Sequence, residues 1–543
     1  MTEQPIRRPI SRIEWLVVVA FSVAASALAA LWSWQNHAML NYGDAVAHLH
    51  IARRVIDSHR PGLSQLGSVW LPLPHLLMIP FVAVYAWWAN GIAGLIPSAL
   101  AYIAGCAGIY RLARHWLRPT AAVAALLFFA LNPNLLYLQT TAMTEPLFLC
   151  EMIWLTVWLV EWRGALNNDP PRAARRLALI AIVLVAAVFT RYDGWILALL
   201  AWTTIGIVQL RTSTLHSRTF WIASAVVVAA PLAWFLYNAV FFGDWLDFAR
   251  GPYSAVAIEL RTATPGSGPP HPGWHDPWVS LLFFVKCAEM DTAPESWGNT
   301  LLCFSLLGTA WAWLTSRRRA FQWTLLLWLP IPFYAYSISY GAVPIFLPVW
   351  WPHSWYNTRY GMEMLPAFAL GLAFTAQLVI AASRDFKPHL VPYTAAILYL
   401  IVLLDEHAVL RDHPLTYVEG VKNIDSRRAF EEQIPPVLRS LLSTRPGGEI
   451  LMETSVYPNL VAFTGIPLRQ TINESDREFY SEALASPAAH AAIVLAFDGD
   501  EIAEAVKAHP EGLRAIRRFD QPGQKSGTVY VSDTPPVSKV PSR

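Results

Sequence analysis

The sequence predicts a polytopic α-helical membrane protein with about 11 transmembrane helices, followed by a C-terminal soluble α/β domain. Hydrophobic residues make up 55% of the 543 residues and charged residues only 14%, a composition far too apolar for an ordinary soluble protein. Apolar runs of about 15 to 22 residues recur as far as residue 404, and charges return after it. A net charge of +2 gives no reason to expect nucleic-acid binding.

The first transmembrane helix is predicted at about residues 15–34. Arg7, Arg8 and Arg12 precede it, and because cytoplasmic segments are enriched in basic residues, the N-terminus is expected in the cytoplasm. The apolar run has no evident cleavage site, so we expect it to remain in the protein. The next apolar stretch, 71–89, is predicted to lie at the outer surface without crossing, because otherwise the later basic loops would face the wrong side.

The remaining spans follow from the same rule, with basic clusters placed inside. The expected cytoplasmic ends carry Arg111–Arg118, Arg172–Arg176, Arg211–Arg218, Arg317–Arg319 and Arg384–Lys387. The expected outer loops are 35–94, 242–297 and 341–359, and the last span, about 389–404, ends outside at Asp405-Glu406. The prediction is therefore a transmembrane catalytic domain, 1–404, in the cytoplasmic (inner) membrane, and an external domain, 405–543.

The external domain is predicted to be a small α/β fold. The run Ala491–Phe497 is typical of a buried strand, and a helix is expected after it at about residues 500–509. The last residues, 535–543, are rich in proline and serine and are expected to be frayed.

Asp44 is the leading catalytic candidate. It lies in Asn41–His48, just after the first span, so its carboxylate would stand at the outer face of the membrane, where a lipid-borne substrate can reach a general base. His48 follows four residues later and would share one face of a helix with Asp44, where both could act on a substrate or an ion. The alternative is that Asp44 simply caps the N-terminus of this helix, and both roles can coexist.

Glu145 is a second candidate, in the segment Thr140–Leu147 at the mouth of an apolar span. An ionised carboxylate there is costly unless water, a cation or a charged partner meets it, which is the reason to expect a site. The alternative is that Thr144 and Pro146 begin a helix and Glu145 only complements its dipole.

Two arginines and a histidine near predicted span ends are candidates for phosphate binding. Arg191, in Thr190–Gly194, could bind a phosphate through two nitrogens or could extend to lipid headgroups. His353 and Arg359 lie in Trp351–Tyr360, immediately before a late span. An aromatic belt explains the tryptophans and tyrosines of that segment but not these two residues.

The loop 242–277 is predicted to be a lid over a substrate cleft or a solvated, mobile loop. Its candidate lid residues are Asp244, Asp247 and Tyr253. His271, His275 and Asp276 suggest a metal site, but the surrounding prolines and glycines make their spacing uninformative.

Taken in order, these motifs resemble the GT-C superfamily of polytopic glycosyltransferases, in particular the branch of protein O-mannosyltransferases and lipid A aminoarabinose transferase. The resemblance covers about residues 1–400. It rests on Gly43-Asp44, Pro72-Leu73-Pro74, Thr141–Pro146, Thr190–Gly194 and Asn357–Tyr360.

The resemblance implies transfer of a sugar from a polyprenyl-phosphate donor in the membrane lipid to an acceptor hydroxyl at the outer face, usually with inversion. The acceptor could be a lipid, a glycan or a protein. Asp44 would be the general base, Glu145 and His48 would position the acceptor or a divalent cation, and Arg191, Arg359 and His353 would bind the donor phosphate. No organic cofactor is implied.

Two departures from the family pattern bear on the acceptor. Ala45 follows Asp44 where those enzymes have a second acidic residue, and Trp70 and Leu71 precede Pro72 where the aminoarabinose enzyme has a lysine. Aminoarabinose transfer to lipid A is therefore not expected.

Two other classes of protein stay open. A transporter or lipid flippase predicts charges buried within spans, for which Glu151 and Glu161 are the candidates. A non-enzymatic assembly protein predicts that loss of the Asp44 carboxylate has no effect.

Overall fold

The computed structural model describes residues 9–214, 217–262, 269–315 and 319–533. Arg7, Arg8, Arg317, Arg318 and the segment 535–543, on which parts of the topology prediction rest, lie outside the described residues.

Helices dominate the described part of the chain, and the strands all lie near its C-terminal end. The α-helices are α1 (Arg12–Gln35), α2 (Gly43–Arg54), α3 (Leu73–Val82), α4 (Tyr85–Asn90), α5 (Ile92–Ala113), α6 (Pro119–Ala130), α7 (Pro133–Leu138), α8 (Glu145–Ala165), α9 (Pro170–Thr190), α10 (Asp193–Arg211), α11 (Arg218–Phe242), α12 (Asp247–Arg250), α13 (Ala255–Thr262), α14 (Pro277–Thr292), α15 (Gly298–Thr315), α16 (Pro330–Tyr340), α17 (Leu365–Phe386), α18 (Val391–Arg411), α19 (Leu415–Asp425), α20 (Arg428–Ser443), α21 (Asn459–Thr464), α22 (Glu478–Ala485), α23 (Pro487–His490) and α24 (Glu501–Ala508). The strands are β1 (Ile450–Leu451), β2 (Thr471–Ile472), β3 (Ile493–Phe497), β4 (Leu513–Phe519) and β5 (Gly527–Ser532).

Within the described ranges, seven helical segments are long and apolar enough to cross a membrane. They are α1, α5, α9, α10, α11, Thr358–Phe386, which contains α17, and Pro388–Asp425, which contains α18 and α19. The protein is thus a mostly helical, polytopic membrane protein. The stretch 71–89 forms only α3 and α4, and a ten-residue helix extends about 15 Å, half of the hydrocarbon thickness. That the stretch lies at the outer surface without crossing stays a prediction.

Four of the predicted spans are not among these seven segments. The third is divided into α6 and α7, of 12 and six residues, and the ninth contains α16, of 11 residues, after a 3-10 helix at Arg319–Trp328. The fourth, α8, carries Glu145, Glu151, Glu161 and Arg163. The eighth, α15, has 18 residues but is not among the seven. A total of eleven spans therefore stays a prediction.

Contacts divide the chain into two compact units. The first unit contains the described residues up to Asn36, Ser68–Pro74 and Pro97–Glu419. The second unit contains His37–Gly67, His75–Ile96 and the residues from Gly420 onward. The boundary predicted at residue 404 falls inside α18, and the assignment of 1–404 and 405–543 to separate functional domains stays a prediction.

In the first unit, α15 and α17 pack closely through two glycines. A Cβ atom on Gly308 would overlap the carbonyl oxygen of Gly371, and one on Gly371 would overlap the carbonyl oxygen of Ser305. Small residues at a helix interface allow the two backbones to approach, which favours van der Waals packing where water provides no hydrophobic driving force.

The second unit is built around a five-stranded mixed sheet in the order β2-β1-β3-β5-β4. Strand β1 is parallel to both β2 and β3, whereas β5 is antiparallel to β3 and β4. All five residues of β3 are buried, and Asp500 caps α24 by accepting a hydrogen bond from the backbone nitrogen of Ala503. The predicted strand at 491–497 and the helix after it are therefore confirmed.

The second unit also contains the segment that follows α1. Asp57 accepts a hydrogen bond from the backbone nitrogen of Leu468 at 3.2 Å. His59 lies between two acids, with Nε2 at 3.1 Å from Glu449 and Nδ1 at 3.3 Å from Asp476. These contacts attach the residues around 57–59 to the sheet domain.

The close contact of α15 and α17 at Gly308 predicts that a larger residue at this position lowers the stability of the fold. Gly308→Ala places a methyl group against the backbone of α17, and overpacking of this kind costs about 1–3 kcal/mol. Gly164→Ala in α8 is the matched control, because a Cβ atom there meets no atom within 4 Å. We expect the Tm in detergent to fall for Gly308→Ala and to stay equal or rise for Gly164→Ala. Equal melting temperatures for the two variants would contradict the close approach of α15 and α17.

The His59 contacts predict a pH-dependent stability. Burial by itself lowers the pKa of His59, but the hydrogen bonds and charges of Asp476 and Glu449 outweigh it and raise the pKa from 6.5 to about 9. Because the folded state then binds the proton more tightly, this stabilisation is fully present below pH 6.5 and is lost as the pH rises through about 9.

We expect His59→Gln to remove that part of the pH dependence, measured as the difference in Tm between about pH 6.5 and about pH 9.5. His490→Gln is the control, because His490 is partly exposed and lies 3.9 Å from Glu482. A wild-type pH dependence in His59→Gln would show that the ion pairs do not stabilise the fold.

Candidate active site

Three of the predicted site residues meet in the first unit. Glu145 is the first residue of α8, Arg191 lies between α9 and α10, and Arg359 lies in the 3-10 helix Thr358–Met364 that precedes α17. Glu145 is 1% exposed, and its Oε1 atom lies 3.1 Å from Nη1 of Arg191 and 3.2 Å from Nε of Arg359. One carboxylate oxygen thus joins two guanidinium groups.

Arg191 has the larger set of partners. Its Nε atom lies 3.1 Å from Asp193, and its Nη2 atom lies 3.0 Å from Glu363 and donates to the hydroxyl of Tyr334 at 2.7 Å. Its Nη1 atom also donates to Thr144 at 3.0 Å. The guanidinium of Arg191 contacts partners within the protein. The alternative that this side chain extends to lipid headgroups is therefore wrong.

Arg359 is held from the other side by Glu419. Nη1 of Arg359 donates to Oε1 of Glu419 at 3.0 Å. The same carboxylate accepts hydrogen bonds from the backbone nitrogens of Asn357 and Thr358 and from the Thr358 hydroxyl. Asn357 has a positive φ of 55°, so this acid fixes a turn that is strained for most residues.

The network contains more acids than bases. Glu145, Asp193, Glu363 and Glu419 contact two arginines, which gives a formal charge of −2 if all of them are ionised. Among the described residues, Oε2 of Glu145 and Oε2 of Glu363 are buried and have no hydrogen-bond partner. Buried charge of this kind is costly unless protons or a cation compensate it.

A narrow cleft reaches this network from its apolar side. Its two carboxyl groups are those of Asp193 and Glu363, and the rest of its lining is apolar: Phe148, Met152, Leu197, Leu329, Pro330 and Phe333. The cleft therefore combines a hydrophobic wall with an acidic end.

Sequence reasoning missed Glu363, Tyr334 and Glu419. Glu363 carries a usable signal, because an acid beside the apolar run of a span is costly and therefore functional by default. Tyr334 and Glu419 carry no such sequence signal, because a tyrosine in an apolar helix and an acid in a polar helix are both common. Glu145 does begin α8, so its interaction with the helix dipole applies in addition to its ion pairs.

Asp44 and His48 belong to the second unit. Asp44 lies in the first turn of α2 and is partly exposed. The N-cap of α2 is Tyr42, so the alternative that Asp44 caps this helix is wrong.

The start of α2 is fixed by two contacts from the C-terminal part of the unit. The backbone nitrogen of Gly43 donates to Asn423, and Nη2 of Arg427 donates to the carbonyl oxygen of Asn41 at 2.8 Å. Burial lowers the pKa of Arg427, whereas the negative charges of Glu431 and Asp44 act in the opposite direction. The cation of Arg427 therefore interacts favourably with Asp44.

His48 is buried, and its Nδ1 atom lies 2.7 Å from Nε2 of His75. His75 was also missed, although it directly follows the Pro72-Leu73-Pro74 motif.

His353 differs from the buried arginines Arg191 and Arg359 in its exposure to solvent. Its side chain is exposed, and its Nδ1 atom lies 2.9 Å from the carbonyl oxygen of Pro348 within the same loop. Its φ is 56°. Its assignment to phosphate binding stays a prediction.

The predicted lid residues form local contacts. Asp244 pairs with Arg250 at 2.5 Å, and that hydrogen bond lowers the pKa of Asp244 to about 2. Asp247 is the first residue of α12, and Tyr253 is largely exposed.

The three potential metal ligands of the same loop have separate roles. His271 lies 3.2 Å from Glu259, His275 stacks on Trp274, and Asp276 caps α14. Across the described ranges, no group of three histidine, cysteine or acidic residues is arranged to hold a metal ion.

The acid surplus predicts that the network tolerates loss of an acid better than loss of a base. Arg191→Met leaves four buried acids with one guanidinium, and breaking a buried pair in this way costs about 3–5 kcal/mol. Glu145→Gln leaves three acids for two guanidiniums and keeps the side-chain shape, so we expect a smaller loss.

The measurement is the thermal unfolding of both variants in the same detergent, followed by tryptophan fluorescence. A Glu145→Gln variant as unstable as Arg191→Met would contradict the surplus of acid in this network.

Comparison with known proteins shows the fold. No protein-family model matches the sequence, and no curated protein matches it. Among solved structures, the chain is similar to ArnT from Cupriavidus metallidurans bound to undecaprenyl phosphate, with a TM-score of 0.55 and 12% identity over 98% of this chain and 100% of that one. The apo state of the same protein gives a TM-score of 0.57 and 12% identity over 93% and 97% of the two chains.

The oligosaccharyltransferase of Archaeoglobus fulgidus, in complex with Zn and sulfate, gives a TM-score of 0.51 and 11% identity over 94% of this chain and 72% of that one. Identities this low establish the fold alone. The chain thus has the fold of the GT-C membrane glycosyltransferases, and the resemblance predicted from its motifs is confirmed at that level.

Proposed function

We propose that the protein is an integral-membrane glycosyltransferase that moves a sugar from a polyprenyl-phosphate donor to an acceptor hydroxyl at the outer face of the cytoplasmic membrane. The observation that carries this proposal is the similarity over 98% of the chain to a protein whose structure contains undecaprenyl phosphate. A donor that arrives through the bilayer also fits a chain in which seven of the described helical segments are long and apolar enough to cross a membrane.

Asp44 is the general base of this proposal. Its carboxylate takes the proton of the acceptor hydroxyl, the hydroxyl oxygen forms a bond to the anomeric carbon, and the bond from that carbon to the lipid phosphate breaks. The electron pair leaves with the phosphate, and attack from the opposite side inverts the anomeric centre. Arg427 and the N-terminal end of α2 both favour negative charge at this position.

The network in the first unit supplies the other proposed roles. Glu145 positions the acceptor or a divalent cation, and Arg191 and Arg359 neutralise the charge on the leaving phosphate. The role of Glu145 is also proposed for His48, which belongs to the second unit. Because both arginines already contact carboxylates, a phosphate that binds them competes with these acids. Protonation of the surplus acids, or a bound cation, favours binding of the phosphate. His353 is proposed to contribute from the outer loop, and Asp244, Asp247 and Tyr253 to form part of a lid.

The topology proposed with this function has eleven spans, a cytoplasmic N-terminus and an external C-terminal domain. The two acids predicted to lie within spans do not favour the alternative that the protein is a transporter or flippase. Glu151 accepts a hydrogen bond from Thr190, and Glu161 pairs with Arg111 and Arg176, so each has a structural partner.

The proposal predicts that transfer depends on the Asp44 carboxylate. We expect Asp44→Asn to lower kcat by about 100-fold or more, because a general base contributes about 10²–10⁴-fold to the rate. The measurement is transfer of radiolabel from synthetic polyprenyl-phosphate hexoses and pentoses to a membrane extract, by purified protein in liposomes.

Asp425→Asn is the matched control. Asp425 belongs to the same unit, is exposed, and forms a surface ion pair at 3.6 Å with Arg428, so the variant should keep wild-type transfer. Undiminished transfer by Asp44→Asn would remove Asp44 from the mechanism. No transfer from any carrier by the wild type would overturn the proposed function itself.

A further inference from the structure

A pair of buried histidines lies one helical turn from the proposed base. Asp44 and His48 are four residues apart on α2, so their side chains project from the same face of the helix. His75 lies near the start of α3, and both histidines belong to the second unit.

The two imidazole rings form a short, enclosed hydrogen bond. Nδ1 of His48 lies 2.7 Å from Nε2 of His75, with the ring centroids 4.9 Å apart and the planes inclined by 36°. The side chains are 6% and 0% exposed, so bulk water does not compete for this bond. The separation of 2.7 Å is at the short end of the range usual for hydrogen bonds donated by nitrogen.

Such a bond restricts the protonation of both rings. One nitrogen must donate and the other must accept, so the two rings cannot both be protonated at the shared position. If a neutral His48 donates from Nδ1, its Nε2 atom carries a lone pair. If His75 donates instead, the Nε2 atom of a neutral His48 carries the proton. The partner of one imidazole nitrogen thereby determines what the other nitrogen can do.

We propose that His75 is a positioning residue for the transfer reaction, which fixes the tautomer and ring orientation of His48 beside Asp44. This inference rests on the proposed function. His48 then presents a defined Nε2 atom on the face of α2 that carries the base, where it orients the acceptor hydroxyl. His75 acts only through His48 and touches no substrate.

The same helix offers a control histidine. His50 is also buried in α2 and packs against Trp88, with ring centroids 5.0 Å apart. Among the described residues, neither of its ring nitrogens has a hydrogen-bond partner. Loss of His50 therefore changes packing in α2 without changing a hydrogen bond to His48.

The experiment compares His75→Leu, His75→Gln and His50→Leu in the liposome transfer assay. We expect His75→Leu to lower kcat by about 10-fold or more while the KM for the donor changes by less than about 2-fold. This is less than the roughly 10²–10⁴-fold contribution of a general base itself, because His75 acts only through His48. His75→Gln keeps a polar nitrogen at the position of Nε2 and should recover most of the lost kcat. His50→Leu should keep wild-type kcat in the fraction of protein that remains folded.

A spectroscopic readout tests the pair without reference to transfer. Nitrogen-15 NMR of protein labelled at histidine, with His48→Gln used to assign the signals, reports which ring nitrogen of His48 carries the proton. We expect one tautomer in the wild type and in His50→Leu, and a mixture in His75→Leu.

Three results would overturn the inference. These are wild-type kcat in His75→Leu, an unchanged His48 tautomer in that variant, or a loss of kcat in His50→Leu equal to that in His75→Leu. If the wild type transfers no sugar at all, the proposed function fails, and the nitrogen-15 spectra still decide whether His75 fixes the tautomer of His48.

Discussion

The first unit depends on the neutralisation of charge in an apolar helix bundle. Arg191 contacts the start of α8 through Glu145, the start of α10 through Asp193, α16 through Tyr334 and the turn before α17 through Glu363. Each ion would be costly alone in this environment, and each is held by its partners. The relative positions of four elements are therefore fixed by one guanidinium group.

The charge balance of these networks differs along α8. At its start, two arginines contact four acids, whereas sixteen residues later Glu161 contacts Arg111, Arg176 and, at 3.5 Å, His115. Sixteen residues of helix extend about 24 Å, which approaches the thickness of a bilayer core. The helix α8 therefore has an acid-rich network at its start and a base-rich network near its end, separated by this distance.

The similarity to solved structures and the local chemistry support the functional proposal in different ways. At 11–12% identity the similarity establishes a shared fold and does not identify an acceptor. Under the proposed function, individual positions would decide the acceptor, and Ala45 leaves Asp44 without the neighbouring acid of the family pattern. His48, which is hydrogen-bonded to His75 of α3, lies on the same face of α2 as Asp44.

The sequence by itself determined the membrane class, most of the long apolar helices, the buried strand β3 with its following helix, and the set of motifs that includes Glu145, Arg191 and Arg359. These features are local: hydrophobicity, helix-start residues and basic loops can be read from neighbouring residues without knowledge of the fold. Tertiary structure alone decided which charges meet. Tyr334 is 143 residues from Arg191, and Glu419 is 60 residues from Arg359. No local pattern predicts such pairs, because they depend on the order in which the helices pack. The same holds for His75, whose partner is 27 residues away on another helix.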